Sequence, residues 1–513
     1  MKLRSIINNT IYKIEGLDVR SVALFRIVLG LGLISYIILM KWIPAKEYLA
    51  PSSTIFGNEY LKIADDGFMQ YSLMKYIHTD FGYYAFLLTT IISLFLYVIG
   101  VFPKLFAIVS YILFNAILLR FYVINTVFGW EKYLELLLFF SVFLPINQQF
   151  TIIKVHSNNI KENYNRSFFS YLFLFQIGVI YMVSALSKSG DYWIEGNAVQ
   201  VVLNTVLQIK PLAYLINSNT FICKFFNYAT LISEFLIFIF LFIPFNNKYF
   251  RILAAFIILF LHWGIYMFLE VGFFVIPATA VFAVLIPSFC WNYNLLKVLN
   301  EISKNIPTKI INIKVSNLYI NIKNILTISL GVYFLIFIIH QNIRKFYGND
   351  KLIGNYLYEK GIIQFLESHK LPIIKQIYFF KQSWGFYSPN PHTETSFFKI
   401  IGYAKDDDRA YVIKNEPNFD INAPYDLKYS SSLDELLWIE LSIHVLNKEY
   451  FQPVLINIFR NKLNQWQQTN KNISLKEVKL YYYSLKLENK SIVRKKIYIN
   501  DFEKFEYLSA TIN

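Results

Sequence analysis

Nine apolar runs, each of the roughly 17–25 residues that a helix needs to cross a bilayer, dominate the first two thirds of this chain. They lie near 21–43, 82–102, 104–124, 131–149, 167–188, 226–245, 249–269, 271–291 and 323–340. Hydrocarbon offers no water to satisfy backbone polar groups, so such runs must bond internally as helices. The expected fold is an all-α polytopic membrane bundle of about nine transmembrane helices. The first run is longer than the apolar part of a signal peptide and lacks a small-x-small cleavage site before Lys41, so it counts as a span. The least regular stretch is 249–291, which reads either as two clean spans or as one broken hairpin.

Composition points the same way. Of 513 residues, 55% are hydrophobic and only 16% charged, which excludes a disordered chain and argues against an all-soluble enzyme. The net charge of +15 would suggest a nucleic-acid partner on a soluble chain. Here the basic residues sit largely in loops flanking the apolar runs, with no basic stripe or RNA-reading motif, so no nucleic-acid partner is expected. The two cysteines, Cys223 and Cys290, form neither a disulfide framework nor a metal-ligand spacing, and no metal is expected.

Lys and Arg are denser in the segments on the N-terminal side of the spans, which should face the cytoplasm. Three parts follow: a cytoplasmic segment 1–20, a transmembrane domain 21–340, and an extracytoplasmic region 341–513. Between spans, 197–216 is apolar but short and reads as an interfacial or re-entrant helix. After residue 340 the pattern changes to the two-residue alternation of strands, at Phe397–Ala404, Ala410–Lys414 and Trp438–Val445. Lys476–Leu487 and Ser491–Asn500 read as a hairpin, making the last region β-rich.

Charged side chains within a bilayer are costly and need a reason. Arg26, Arg120, Glu135 and Glu234 read by position as groups that pair internally or reach the interface; Glu270 reads as interfacial. Lys188 ends a span, and Tyr181, Ser184 and Lys188 share one helix face at i, i+3 and i+7. Two readings stand. Desolvation favours the neutral form of an amine, which can then act as a base. Alternatively the lysine reaches the outer surface beside Trp193. His262, mid-span, can donate a hydrogen bond to a developing oxyanion or simply satisfy a core carbonyl.

The block Val179–Lys188 (VIYMVSALSK), followed by Asp191-Tyr192-Trp193-Ile194-Glu195-Gly196, resembles the signature of the vitamin K-dependent γ-carboxylase family within the wider set of horizontally transferred transmembrane (HTTM) domain proteins. Three further segments are similar to that family: Ser21–Ile27, Glu131–Pro145, and Leu261-His262 with Gly272 and Pro287. The resemblance implies a γ-carboxylase-like membrane enzyme acting on a secreted peptide in the bilayer. Its co-substrates would be a reduced quinone of the vitamin K or menaquinol type, O2 and CO2. It implies Lys188 as base and His262 as charge stabiliser, with Tyr181 and Ser184 beside the lysine and Trp193 and Arg26 as substrate contacts. Glu131 stands where the family has a second catalytic histidine, and Ser187 where it has a second lysine. No segment matches its propeptide-binding region. The chain also resembles the membrane component of a sporulation-delaying toxin maturation system, whose partner carries a Trp-Gly-Phe-Phe-like motif. Ser383-Trp384-Gly385-Phe386-Tyr387-Ser388-Pro389-Asn390-Pro391 is similar to that motif, implying both components in one chain or a plain aromatic corner after the last span. This relative implies maturation of a peptide toxin without carboxylation; a scaffold without chemistry is the third class.

Overall fold

The computed structural model describes residues 14, 16–53, 57, 72–122, 129–156, 164–205, 210–269, 271–312, 325–339, 342, 384–391, 394–405, 409–415, 452–486 and 503–511. Each of the nine apolar runs contains a helix. In chain order these are α1 (Val19–Tyr36, extended by a wider π-type turn Ile37–Trp42), α2 (Asp80–Ile99), α3 (Pro103–Tyr122), α4 (Gly129–Phe143) and α5 (Phe168–Ser187). Two short helices follow, α6 (Asp191–Ile194) and α7 (Ala198–Thr205), then α8 (Thr220–Phe242), α9 (Asn247–Phe268), α10 (Val275–Leu285), a surface helix α11 (Asn294–Asn305) and α12 (Ile325–Ile339).

Among the described residues, six helical stretches are long and apolar enough to cross a membrane: Val19–Trp42, Asp80–Ile99, Pro103–Arg120, Phe168–Ser187, Thr220–Phe242 and Asn247–Phe268. The other three fall short of the expected spans. α4 has 15 residues and carries Glu131, Lys132 and Glu135; Gly272–Leu285 and Ile325–Ile339 are likewise short. At about 1.5 Å per residue, 15 residues reach only about 22 Å of a roughly 30 Å hydrocarbon core. The stretch 249–291 is two helices, α9 and α10, joined by the tight turn Gly272–Phe274. The expected helix in 197–216 is α7 followed by a 3₁₀ turn, Pro211–Leu215.

The bundle buries its charged groups within a largely apolar core and turns apolar side chains outward. Arg26, Lys41, Arg120, Glu131, Glu135, Lys188, Glu234 and Arg251 are all buried, while Leu31, Leu88, Ile92, Phe95, Ile108, Ile232 and Phe260 face outward. A soluble protein inverts this arrangement, because exposed apolar patches in water drive association. These outer faces suit lipid.

Packing contacts run in a closed circuit: α1–α2–α3–α4–α5–α8–α9–α10 and back to α1, with α4–α5 the thinnest seam. α12 lies over that seam. Its Phe334 packs on Phe139 at 4.7 Å between ring centroids, and the backbone at Gly331 sits so close to Phe168 that a Cβ there would lie 2.3 Å from the ring.

One end of the bundle is tied by strands and polar clips. β1 (Leu17–Asp18) pairs antiparallel with β3 (Tyr164–Asn165), and β2 (Ile153–His156) pairs parallel with β4 (Lys309–Asn312). Asp18 caps α1 by accepting from the Arg20 backbone N–H at 2.8 Å, and its carboxylate also accepts from the Ser288 hydroxyl. Arg26 ties this end to its neighbours: its guanidinium donates to the carbonyls of Ile146 (2.6 Å), Val98 (3.3 Å) and Phe150. Arg26→Met would strand those acceptors in an apolar surround. We expect a loss of about 3 kcal/mol or more in a detergent-phase unfolding measurement, against a change below about 1 kcal/mol if the contacts are incidental.

In the C-terminal region a four-stranded antiparallel sheet runs in the order β6 (Ala410–Asn415), β5 (Glu394–Ala404), β7 (Leu475–Lys486), β8 (Glu503–Thr511). The alternation expected at 397–404, 410–414 and 476–487 forms strands. The partner expected at 491–500, and the strand expected at 438–445, lie outside the described residues; the neighbour β7 takes is β8. The region also holds an amphipathic helix, α13 (Gln452–Thr469), which strand alternation did not anticipate; it packs on β6.

Candidate functional site

The site begins with how α5 ends. Ser167 caps its start by accepting from the Ser170 N–H at 3.2 Å. The apolar run carries the helix to Ser187, and Ser189-Gly190 then release it. Lys188 is the last turn's cap, its N–H reaching Ala185 O at 3.2 Å. A cation at a helix C-terminus meets the negative end of the helix dipole.

The Lys188 side chain turns inward. The residue is only 6% exposed. Its Nζ lies 2.8 Å from both carboxylate oxygens of Glu234 on α8 and 2.6 Å from Ser184 Oγ, and Ser184 in turn donates to Glu234 Oε1 at 2.9 Å. The Trp193 ring lies 5.4 Å from Nζ, within cation–π range. Of the two readings of Lys188, the side chain does not reach the outer surface: it is buried, and with Glu234 it forms a pair of zero net charge rather than a lone desolvated amine. Glu234 is the only acid in α8, and a lone acid in an apolar helix requires a base. The nearest candidate at a facing helix end was Lys188, a charge-matching signal that the sequence reading passed over.

The loop after Lys188 is pinned to α8. Asn227 accepts from the Ala198 N–H at 3.1 Å and donates to Trp193 O at 2.9 Å, and Tyr228 OH donates to Ile194 O at 2.9 Å. The turn needs Gly196, whose φ of +82° is left-handed and whose Cα faces the Tyr228 ring at a distance that would crowd a Cβ.

Lys188, Ser184, Tyr181, Trp193 and His262 all line one cavity of about 660 Å³, together with Glu234. The three residues placed on one face by their spacing are on that face. Tyr181 meets His262 edge to face at 5.8 Å, and His262 stacks on Phe274 at 4.6 Å. His262 Nδ1 lies 2.9 Å from Ile258 O. A carbonyl only accepts, so Nδ1 carries the proton, and in the neutral ring Nε2 is an acceptor. Of the two readings of His262, the bond to Ile258 O is the core-carbonyl one, and a neutral ring protonated at Nδ1 leaves Nε2 able to accept a hydrogen bond from a ligand hydroxyl.

Two more groups complete the polar set. The hydroxyls of Tyr133 on α4 and Tyr181 on α5 are buried neighbours across the thin seam, and neither has a hydrogen-bond partner of ordinary geometry among the described residues. Apart from Thr230 and Ser233, the rest of the wall is largely apolar, including Trp130, Ile180, Val202 and Leu261.

The roof comes from far along the chain. Trp384, Phe386 and Tyr387 line the cavity. Trp384 meets Tyr133 edge-on at 5.6 Å, Phe386 meets Phe274 at 5.5 Å, and Phe386 also sits against Gly129. Three bonds latch the segment to the Lys188 loop: Trp193 Nε1 to Tyr387 O (2.8 Å), Gly190 N–H to Pro389 O (3.1 Å) and Tyr192 N–H to Asn390 Oδ1 (3.1 Å). The Trp384–Pro391 motif therefore covers one side of the site.

Two expected site residues lie outside the cavity lining. Arg26 is at the opposite end, as described above. Glu131 accepts from Tyr36 OH and lies 3.5 Å from Lys41 Nζ. Its neighbour Trp130 reaches the cavity and packs on Tyr36 at 5.3 Å, so Glu131 stands one layer behind the wall. Among the described residues no cluster of three His, Cys, Asp or Glu has metal-binding geometry. Comparison with known proteins yields no matching family model, no matching curated protein and no matching solved structure.

Proposed function

We propose that this chain is a membrane enzyme that resembles the γ-carboxylases, modifying a secreted peptide with a reduced quinone of the vitamin K or menaquinol type as co-substrate. The observation that carries the proposal is the convergence of Lys188–Glu234, Ser184, Tyr181 and His262 on a single, largely apolar cavity roofed by aromatic side chains. A flat ring bearing oxygens fits this donor set. The Tyr133–Tyr181 hydroxyl pair can donate, His262 Nε2 can accept, and most of the wall is apolar. When bound, a reduced quinone oxidised by O2 supplies a base strong enough to deprotonate a substrate glutamate, whose carbanion takes CO2.

The chain's own residues hold and move protons. Lys188 Nζ, set between Ser184 Oγ and Glu234, can pass a proton within the pair without creating net charge in the apolar interior. His262 can take a proton or hydrogen bond from a ligand hydroxyl. The Trp384–Tyr387 roof excludes water, which protects a strong base from quenching. Glu131, through Tyr36 and Trp130, supports the wall and acts as a positioning residue.

In this reading all nine helices cross the membrane, the three short ones where the roof and loops thin or cover the bilayer. The N-terminus is cytoplasmic; Lys188, the roof and the C-terminal sheet are extracytoplasmic, where a secreted peptide arrives. Support comes from the alternation of the helices between the two ends of the bundle. The roof motif favours a second reading, non-carboxylating maturation of a peptide toxin, in which one chain carries both working parts.

His262→Phe keeps the ring stack on Phe274 and removes the acceptor nitrogen. Loss of an acid–base group should lower modification of a co-expressed secreted peptide by about 100-fold or more, with the protein's amount in the membrane unchanged. Mass spectrometry of the peptide then separates the readings: the added mass of CO2 marks carboxylation, and shortened products mark cleavage. Unchanged processing with His262→Phe would remove both.

A further inference from the structure

We propose that a window between α8 and α9 admits the alkyl or isoprenoid tail of an amphiphilic ligand directly from the bilayer, the ligand's head resting at Lys188 and His262. This deepens, and rests on, the quinol reading of the cavity.

α8 and α9 are held by aromatic contacts at two levels. Phe226 packs on Phe268 at 5.7 Å near the Lys188 end, and Phe240 on Phe250 at 5.2 Å near the other. Between these levels stand small and polar residues: Thr230 and Ser233 on α8, and Gly264 on α9. A Cβ built on Gly264 would meet nothing within 4 Å, and the residue lines the cavity. Two well-packed helices leave no such gap, because side chains interdigitate to the density of an organic crystal.

Thr230, Ser233 and Gly264 are half-buried and line the same cavity as Lys188. Phe260, one turn from Gly264, also lines the cavity yet is 70% exposed, so one side chain touches both the interior and the outer, lipid-facing surface. Ile232 and Met267, outward-facing beside the window, are exposed as well. The interior is thus continuous with the hydrocarbon at this point. Dispersion and hydrophobic contact favour a tail there, and the polar set deeper in the cavity takes only the head. The Trp384–Tyr387 segment covers part of the cavity, and the window gives the ligand a separate way in from the bilayer.

Gly264→Phe places a ring at the window, where the space around the Cβ is open, and it removes a helix-interior glycine. The full chain in lipid nanodiscs is titrated with two probes, a naphthoquinol carrying an isoprenoid tail and its tail-less counterpart, read by quenching of tryptophan fluorescence. The proposal predicts that Gly264→Phe weakens the tailed probe by about tenfold or more while the tail-less probe binds as in wild type. Equal binding of the tailed probe to both proteins overturns the window. A second arm uses a hexadecyl alcohol bearing a photoreactive group. Crosslinks in peptides containing Thr230, Ser233 or Phe260, lost in Gly264→Phe, support the window even where neither quinol binds wild type, an outcome that removes the quinol reading alone. Absence of those crosslinks in wild type overturns the window.

Discussion

Glu234→Leu is expected to destabilise the protein by about 3–5 kcal/mol, because it leaves the Lys188 ammonium buried without its counter-charge. The geometry makes the effect large. Nζ has both Glu234 oxygens at 2.8 Å, and the side chains are 2% and 8% exposed, so solvent cannot replace the lost partner. Lys188→Met should act in the same direction by leaving the carboxylate alone. The double variant Lys188→Met/Glu234→Leu removes both charges and refills the space, and should return to within about 1–2 kcal/mol of wild type, since apolar replacement of a buried pair is often neutral. Thermal or denaturant unfolding in detergent gives all four values of the cycle. Additive losses would mean that the two residues do not act as a pair.

The second large effect concerns activity. Lys188→Arg keeps the positive charge but should abolish modification of the secreted peptide, a fall of about 100-fold to 10,000-fold for loss of a positioned proton-transfer group. A guanidinium holds its protons over the whole working range and is a wide planar fork. It cannot occupy the point that a single amine nitrogen takes between Ser184 Oγ at 2.6 Å and both oxygens of Glu234. Near-normal modification by Lys188→Arg would show that Lys188 contributes charge alone.

How much of this was legible in the sequence depends on the range of the interaction. Helices such as Phe168–Ser187 are readable because lipid leaves a 20-residue apolar run one choice. Length failed as a guide at Gly129–Phe143, where Glu131, Lys132 and Glu135 interrupt the apolar character because each finds an internal partner. Gln452–Thr469 was missed because its amphipathic pattern lies among strand-like segments, where only packing on β6 decides. Within the site, the Tyr181–Ser184–Lys188 face followed from helical spacing, a purely local property. The partner Glu234 is 46 residues away, and the roof bond from Trp193 to Tyr387 spans 194 residues. Such pairings are set by the fold as a whole. Arg26 shows the converse: a buried arginine attracts a functional reading, but three backbone carbonyls take its two terminal nitrogens as a structural tie.

The most direct test of a catalytic Lys188–Glu234 pair separates chemistry from stability. Peptides secreted by cells producing the charge-free double variant Lys188→Met/Glu234→Leu are weighed by mass spectrometry beside those from wild type, at matched protein levels in the membrane. A stable, membrane-inserted double variant whose secreted peptide keeps its unmodified mass is the predicted result. A peptide that still gains the wild-type mass change from that variant would contradict the account.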